Sequence, residues 1–406
     1  GGDDTVQKPP QSGQDANNSA LNYILFISAF AVLGSCLRVY MARLFGEDCE
    51  LDKDLDDWLM PISSNVCVTA GGRTQQNGGA LFYDLPANLL GSFFMGLITP
   101  NTPTVDRLPF LGSKHPLQKD AVYHTGLGVG LCGSLTTFAS WNTQMVVMMD
   151  GSYCDLGSQV LSAVFGYILG LMGAIACFHF GRSVAKWVCD LRNPSSRDGI
   201  TPSNSEDEDH PPIQPIDVPY NAQLEPPQQL SSQDDSSVCC RSIIVRATPF
   251  ILVSVILLLF IAGYALEGIH FYRTMIAKSM TAPIGALLRW KLSGLNSRPE
   301  GAKLPWLPVG TLAANLIASV VSIVCIVFAD RFHNEEDLWV DAILFSMRVG
   351  FAGCLSTVSS MVKEIVNLSE KYPGHAKSYL YGLGSLLAAL SICLPIYSII
   401  GRVGVQ

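Results

Sequence analysis

The chain has 406 residues, 49% of them hydrophobic and only 15% charged, with a net charge of -8. A soluble domain carries about 25% charged residues, and the mean hydropathy here is +0.30. This composition excludes an ordinary soluble enzyme, and the acidic balance excludes a nucleic-acid partner.

The elements run in the following order. Residues 1–18 are polar and are expected to be a disordered tail. The first apolar run starts near Leu21, so no cleavable signal peptide is expected. Nine runs are long enough, or nearly so, to cross a bilayer, which takes about 20 apolar residues: 21–44, 80–100, 122–149, 157–181, 243–266, 272–292, 305–329, 340–367 and 376–402. The plainest is Ile251 to Ala262 inside the fifth. Between the fourth and fifth lies a stretch rich in Pro, Ser, Asp, Glu and Gln, including Ser205-Glu206-Asp207-Glu208-Asp209. It cannot bury enough apolar surface to fold. The expected class is an all-α polytopic membrane protein. Its units are a tail at 1–18, a four-helix repeat at 19–190, an acidic linker at 191–240, a connecting helix at 241–268 and a second four-helix repeat at 269–406.

The repeat is written in three matched blocks, in one order. Ala31 to Arg38 answers Ala282 to Arg289. Ala87-Asn88-Leu89-Leu90-Gly91-Ser92 answers Ala314-Asn315-Leu316-Ile317-Ala318-Ser319. Gly130-Leu131-Cys132-Gly133-Ser134-Leu135-Thr136-Thr137 answers Gly350-Phe351-Ala352-Gly353-Cys354-Leu355-Ser356-Thr357. Four spans, one connector and four more spans turn the second repeat upside down. The third pair combines glycines and hydroxyls mid-span, which suits a helix that breaks and exposes backbone. In a membrane such a break survives only where protein or a water path covers it. A break repeated in both halves points to a transport site at their interface.

Charge orients the chain. Arg107, Lys114, Lys119, Arg182, Lys186, Arg192, Arg241, Arg246, Arg289, Lys291, Arg298 and Lys303 fall on one side when the N-terminus is cytoplasmic. The acidic loops at 47–52 and 335–337 fall on the other. Arg38, Arg43 and Arg273 run against this assignment. The expected location is the plasma membrane, with the linker cytoplasmic and the C-terminus extracellular.

Cysteines within the spans read as small buried residues. Cys49 and Cys67 share one loop and are able to pair if it is extracellular. Cys239-Cys240, beside a span, suits palmitoylation.

The block Gly133-Ser134-Leu135-Thr136-Thr137-Phe138-Ala139-Ser140-Trp141 resembles the third-helix signature of the fluoride channel family, G-G-L-T-T-F-S-T-F. Residues 87–91 and 310–315 resemble its second helix, and Gly285 to Arg289 its first. Bacterial members are four-helix proteins that pair antiparallel, and eukaryotic exporters are similar to that dimer fused through one extra helix. The resemblance implies a passive fluoride channel, active as a monomer because the dimer is fused. It also implies a structural sodium ion on the backbone carbonyls of Gly133, Thr136, Gly353 and Ser356. A hard cation prefers such oxygens. The bland alternative is a kink with its hydroxyls bonded back to the preceding turn.

The expected fluoride path uses Asn315, Thr311, Ser385, Phe138, Trp141 and Asn88. Amides and hydroxyls replace water around the ion without the grip of a fixed cation. A membrane Asn otherwise serves helix–helix hydrogen bonding. Phe138 and Trp141 are three apart and share a helix face, and their ring edges are electropositive. The family has phenylalanine where Trp141 stands. The second half departs further, with Val358 and Met361 at the aromatic positions. The first half has Asp84 in place of Thr311 and Gly166 in place of Ser385. One complete pore and one degenerate pore follow from that asymmetry. Competing readings are a secondary transporter of another small anion and a non-transporting scaffold. A coupled carrier would show more mid-span charge; Lys363 and Glu364 lie late in span eight. No phosphate-binding loop, paired carboxylates or nucleophile motif points to an enzyme.

Overall fold

The computed structural model describes residues 13–42, 82–102, 105–150, 156–192, 279–296, 304–332, 338–372 and 376–402, together with Ser254. The connecting span, the acidic linker, and the Cys49, Cys67, Cys239 and Cys240 pairs lie outside the described residues.

The helices are α1 Gly13–Ala42, α2 Leu85–Leu97, α3 Ala121–Thr125, α4 Gly133–Leu135, α5 Phe138–Asp150 and α6 Leu156–Arg192 in the first half. The second half has α7 Ala282–Ser293, α8 Val309–Phe332, α9 Leu338–Phe345, α10 Gly353–Leu355, α11 Ser359–Lys371 and α12 Lys377–Arg402. Among the described residues, five helical stretches are long and apolar enough to cross a membrane, including Gln159–Arg192 and Lys377–Ile400. α6 shows why. Leu161, Phe165, Ile168 and Met172 are exposed at spacings of three and four residues, so they form one outward apolar stripe, as a lipid-facing helix requires. Its other face carries Ala163, Tyr167, Leu171 and Ala174, all buried.

The expected break is present in both halves. Thr136 (ψ 149°) and Ser356 (ψ 160°) are extended, each one residue past a helical turn. Before each break the helix also widens. Gly126–Cys132 and Ser346–Ala352 wind as π-helix, a rare form that is frequent at functional sites.

Matched helices run in opposite senses. One cavity is lined by Met95 near the end of α2, Ala121 at the start of α3, Ser293 at the end of α7, Thr311 at the start of α8 and Lys371 at the end of α11. So α2 ends where its counterpart α8 begins, and the first broken helix begins where the second ends. The two halves pack through a common core that includes Phe138, Trp141, Tyr167 and Phe178 from the first and Val358, Met361, Tyr381 and Leu386 from the second. Beside it Arg182 of α6 donates to Thr99 O (3.1 Å) and to Glu370 of α11 (2.5 Å).

Candidate functional site

The two breaks meet at the centre, and each completes the other. A break leaves the following half-helix with orphan N–H groups. The N–H groups of Phe138 and Ala139, which open α5, donate to Ser356 Oγ of the opposite half at 3.2 and 3.0 Å. Those of Val358 and Ser359, which open α11, donate to Thr136 Oγ1 at 3.2 Å each. The capping hydroxyls are therefore exchanged, not local. Thr137 Oγ1 lies 3.1 Å from Ser356 Oγ, and Thr136 Oγ1 lies 3.2 Å from Thr357 Oγ1.

The carbonyls freed by the breaks are also taken in exchange. Arg38, from α1, donates Nη1 to Gly353 O (2.7 Å) and Nη2 to Val349 O (2.6 Å). Arg289, from α7, donates Nη2 to Val129 O (2.5 Å) and Nη1 to both Gly133 O (2.7 Å) and Ser356 O (2.8 Å). Both guanidinium groups are buried. Glycine is required opposite them: a Cβ on Gly133 would sit 2.5 Å from Arg289 Nη2, and one on Gly353 2.4 Å from Arg38 Nη2.

Asn88 and Asn315 act alike, one per half. Thr137 N donates to Asn88 Oδ1 (2.7 Å) and Asn88 Nδ2 donates to Thr137 O (3.1 Å). Asn315 repeats this with Thr357 at 2.8 and 3.2 Å. The amides thus clamp the residue after each break, and Asn315 Nδ2 also donates to Met361 Sδ (4.0 Å).

The remaining expected pore residues fall in two groups. Phe138 and Trp141 are fully buried and meet edge to face at 5.8 Å and 77°. Trp141 stacks on Phe82 at 5.5 Å and lies against Tyr167 at 5.7 Å. Its indole N–H has no hydrogen-bond partner, which is costly at a buried site unless something visits it. Thr311 and Ser385 are committed elsewhere. Thr311 Oγ1 donates to Glu364 Oε1 (2.6 Å), and Ser385 Oγ donates back to Tyr381 O (2.6 Å). No hydrogen bond among the described residues joins either hydroxyl to Trp141. Gly166 is buried on α6, and Asp84 lines a small pocket of about 30 Å³ with Arg38 and Arg348.

Sequence reasoning passed over Glu364, Tyr381 and Asn296. Glu364 accepts from Thr311, from Asn296 Nδ2 (2.8 Å) and, through Oε2, from Tyr381 OH (2.6 Å). It lines the large cavity. An ionisable group in a membrane segment marks a site by default, but so late in the expected 340–367 span the carboxylate reads as a boundary charge. The cluster holds its hydroxyl protons on the carboxylate, so an anion reaching Thr311 must compete with Glu364 for that proton.

Comparison with known proteins accords with this architecture. The family model described as CrcB-like protein, Camphor Resistance (CrcB), matches residues 25–178 and again 276–396. A fluoride-specific ion channel FluC of Albidiferax ferrireducens is 35% identical over 121 residues, covering 29% of this chain and 86% of the relative. One from Chromobacterium violaceum is 34% identical over 125 residues, covering 30% and 91%. One from Xanthomonas oryzae pv. oryzae is 43% identical over 96 residues, covering 23% and 64%. No solved structure matches the chain. Two matched segments, each built around a broken helix that the other completes, make this chain a member of the CrcB-like family in which the unit occurs twice.

Proposed function

We propose that this chain is a passive fluoride channel that exports the ion across the plasma membrane as a monomer. The family and its FluC relatives support fluoride as the ion. The observation that carries the path is the fully buried pair of Phe138 and Trp141, which meet edge to face. Both groups offer positive edges to a small anion, and neither holds a full charge that would trap it. One pore conducts. It combines these aromatics with Thr311, Asn315 and Ser385 of the second half. The mirror path is disfavoured by Asp84, whose carboxylate repels an anion.

The residues at the centre fit a sodium ion in kind. The carbonyls of Gly133, Thr136, Gly353 and Ser356 are hard oxygens freed by the two breaks. Three of them already accept from guanidinium groups, and each has a second lone pair. The ion would supply positive charge that fastens the breaks; no step of fluoride movement runs through it.

Uncoupled export is sustained by the membrane potential, about 2.3 kcal/mol per 100 mV for one charge. Liposomes holding the purified protein should release fluoride, not chloride, at a rate that follows an imposed voltage and needs no ATP. Flux against the electrochemical gradient would sink the channel reading. The basic loops support a cytoplasmic N-terminus and linker. A cysteine introduced in the 200–235 segment should resist impermeant maleimide in intact cells while one near the C-terminus reacts. Labelling of both from one side would refute the nine-span topology.

A further inference from the structure

The cavity where the ends of α2, α7 and α11 meet the starts of α3 and α8 has a volume of about 520 Å³. That is within the range of small-molecule sites, about 300–1,000 Å³, and far beyond what a bare halide fills. Its lining is unequal in charge. Arg107, His124, Arg289, Lys363 and Lys371 face one acid, Glu364. Glu364 is spent on Asn296, Thr311 and Tyr381, and Arg289 on the central carbonyls.

Three cations are left over. Among the described residues Arg107 and Lys363 make no hydrogen bond or ion pair, and Lys371 only lies over the ring of Tyr372, at 5.6 Å. Arg107 is not on a loose loop. Gln118 binds Leu108 through both its main-chain groups (2.9 and 2.7 Å) and also Leu111 O (3.1 Å). Arg192 fans out to Asp106, Pro109 O and Leu111 O. The segment on both sides of Arg107 is therefore fixed. Ser360 and Asn367 add neutral donors to the same wall. The pocket at the other end, about 30 Å³, offers no such room.

We propose that this cavity is a binding site for a phosphate-type oxyanion, held by Arg107, Lys363 and Lys371, and that its occupant plugs the fluoride path. Three unspent cations around one space repel each other, and a dianion with several acceptor oxygens relieves them where a single halide would not. The occupant is too large to follow fluoride past Thr311. The blocking role rests on the pore reading above; the binding role does not.

The test uses the purified full chain and two sources of the group. Free inorganic phosphate is titrated by calorimetry in neutral detergent, against chloride at matched ionic strength. Phosphatidylglycerol is titrated in mixed micelles, against phosphatidylcholine. Saturable binding of free phosphate, weakened at least tenfold in Arg107→Gln and in Lys371→Gln, supports a soluble ligand. Binding of the anionic lipid alone, with the same sensitivity, supports a headgroup. Binding of neither, or of chloride equally well, overturns the site. In liposomes, phosphate on the side of the cavity should slow fluoride efflux by several fold, and the two variants should keep basal efflux but lose the block. Phosphate binding without any fluoride efflux would refute the pore and leave the site standing. Efflux untouched by bound phosphate would refute the plug.

Discussion

Replacing Arg289 by Met is expected to be the most damaging single change in the protein. Arg289 supplies donors to Val129 O, Gly133 O and Ser356 O. Leaving a buried polar group unpaired costs about 1–3 kcal/mol, so three carbonyls together cost on the order of 3–9 kcal/mol. That is a large share of the roughly 5–15 kcal/mol that holds a typical domain folded. Arg38→Met strips two carbonyls, Gly353 O and Val349 O, and should be milder. Arg289→Lys should not rescue, because one ammonium lacks the fork that spans carbonyls of both halves. Melting of the detergent-solubilised protein, followed by size-exclusion, gives the order. Sodium in place of N-methylglucamine should raise the melting point of wild type and of Arg38→Met alike, since the carbonyls keep free lone pairs. Equal melting of wild type and Arg289→Met would remove the guanidinium bridge from the account of the fold.

The second large effect is on flux. Phe138→Ile keeps apolar bulk and loses the positive ring edge, and should lower fluoride efflux at least a hundredfold in a protein that still folds. Trp141→Leu should do the same. Trp141→Phe is the informative contrast: it removes the unpartnered N–H but keeps the edge that meets Phe138, and should retain efflux within several fold. If Trp141→Phe falls as far as Trp141→Leu, the indole N–H and not the ring edge carries the ion. Asn315→Asp is a weaker probe of the pore than its position suggests. It would also break the donation to Thr357 O, so lost flux there mixes a repelled anion with a loosened break. Asn88→Asp would loosen its own break in the same way.

The broken helices were legible because their cause is local. Gly133, Thr136 and Thr137, matched by Gly353, Ser356 and Thr357, carry the break in their own residue types. The amides at Asn88 and Asn315 were legible for the same reason, although the structure gives them to the backbone first. Arg38 and Arg289 show what was not legible. Their matched places were visible, yet Arg38 read only as a charge on the wrong side. Its partners lie 311 and 315 residues away, and no periodicity encodes a contact of that separation. Glu364 was hidden differently. Late in a span it reads as a boundary charge, until Asn296, Thr311 and Tyr381 are seen closing on it. The π-helical turns left no trace in composition.

The exchanged caps also set a timetable for synthesis. Thr136 and Thr357 meet at the centre but are 221 residues apart in the chain. At about 5–20 residues per second, the first repeat waits roughly 11–44 s for the second. Through that interval α5 has no Ser356 to cap it, and Gly133 O has no Arg289. The first repeat therefore enters the membrane as an unfinished object, with a polar wound that only its own later half can close.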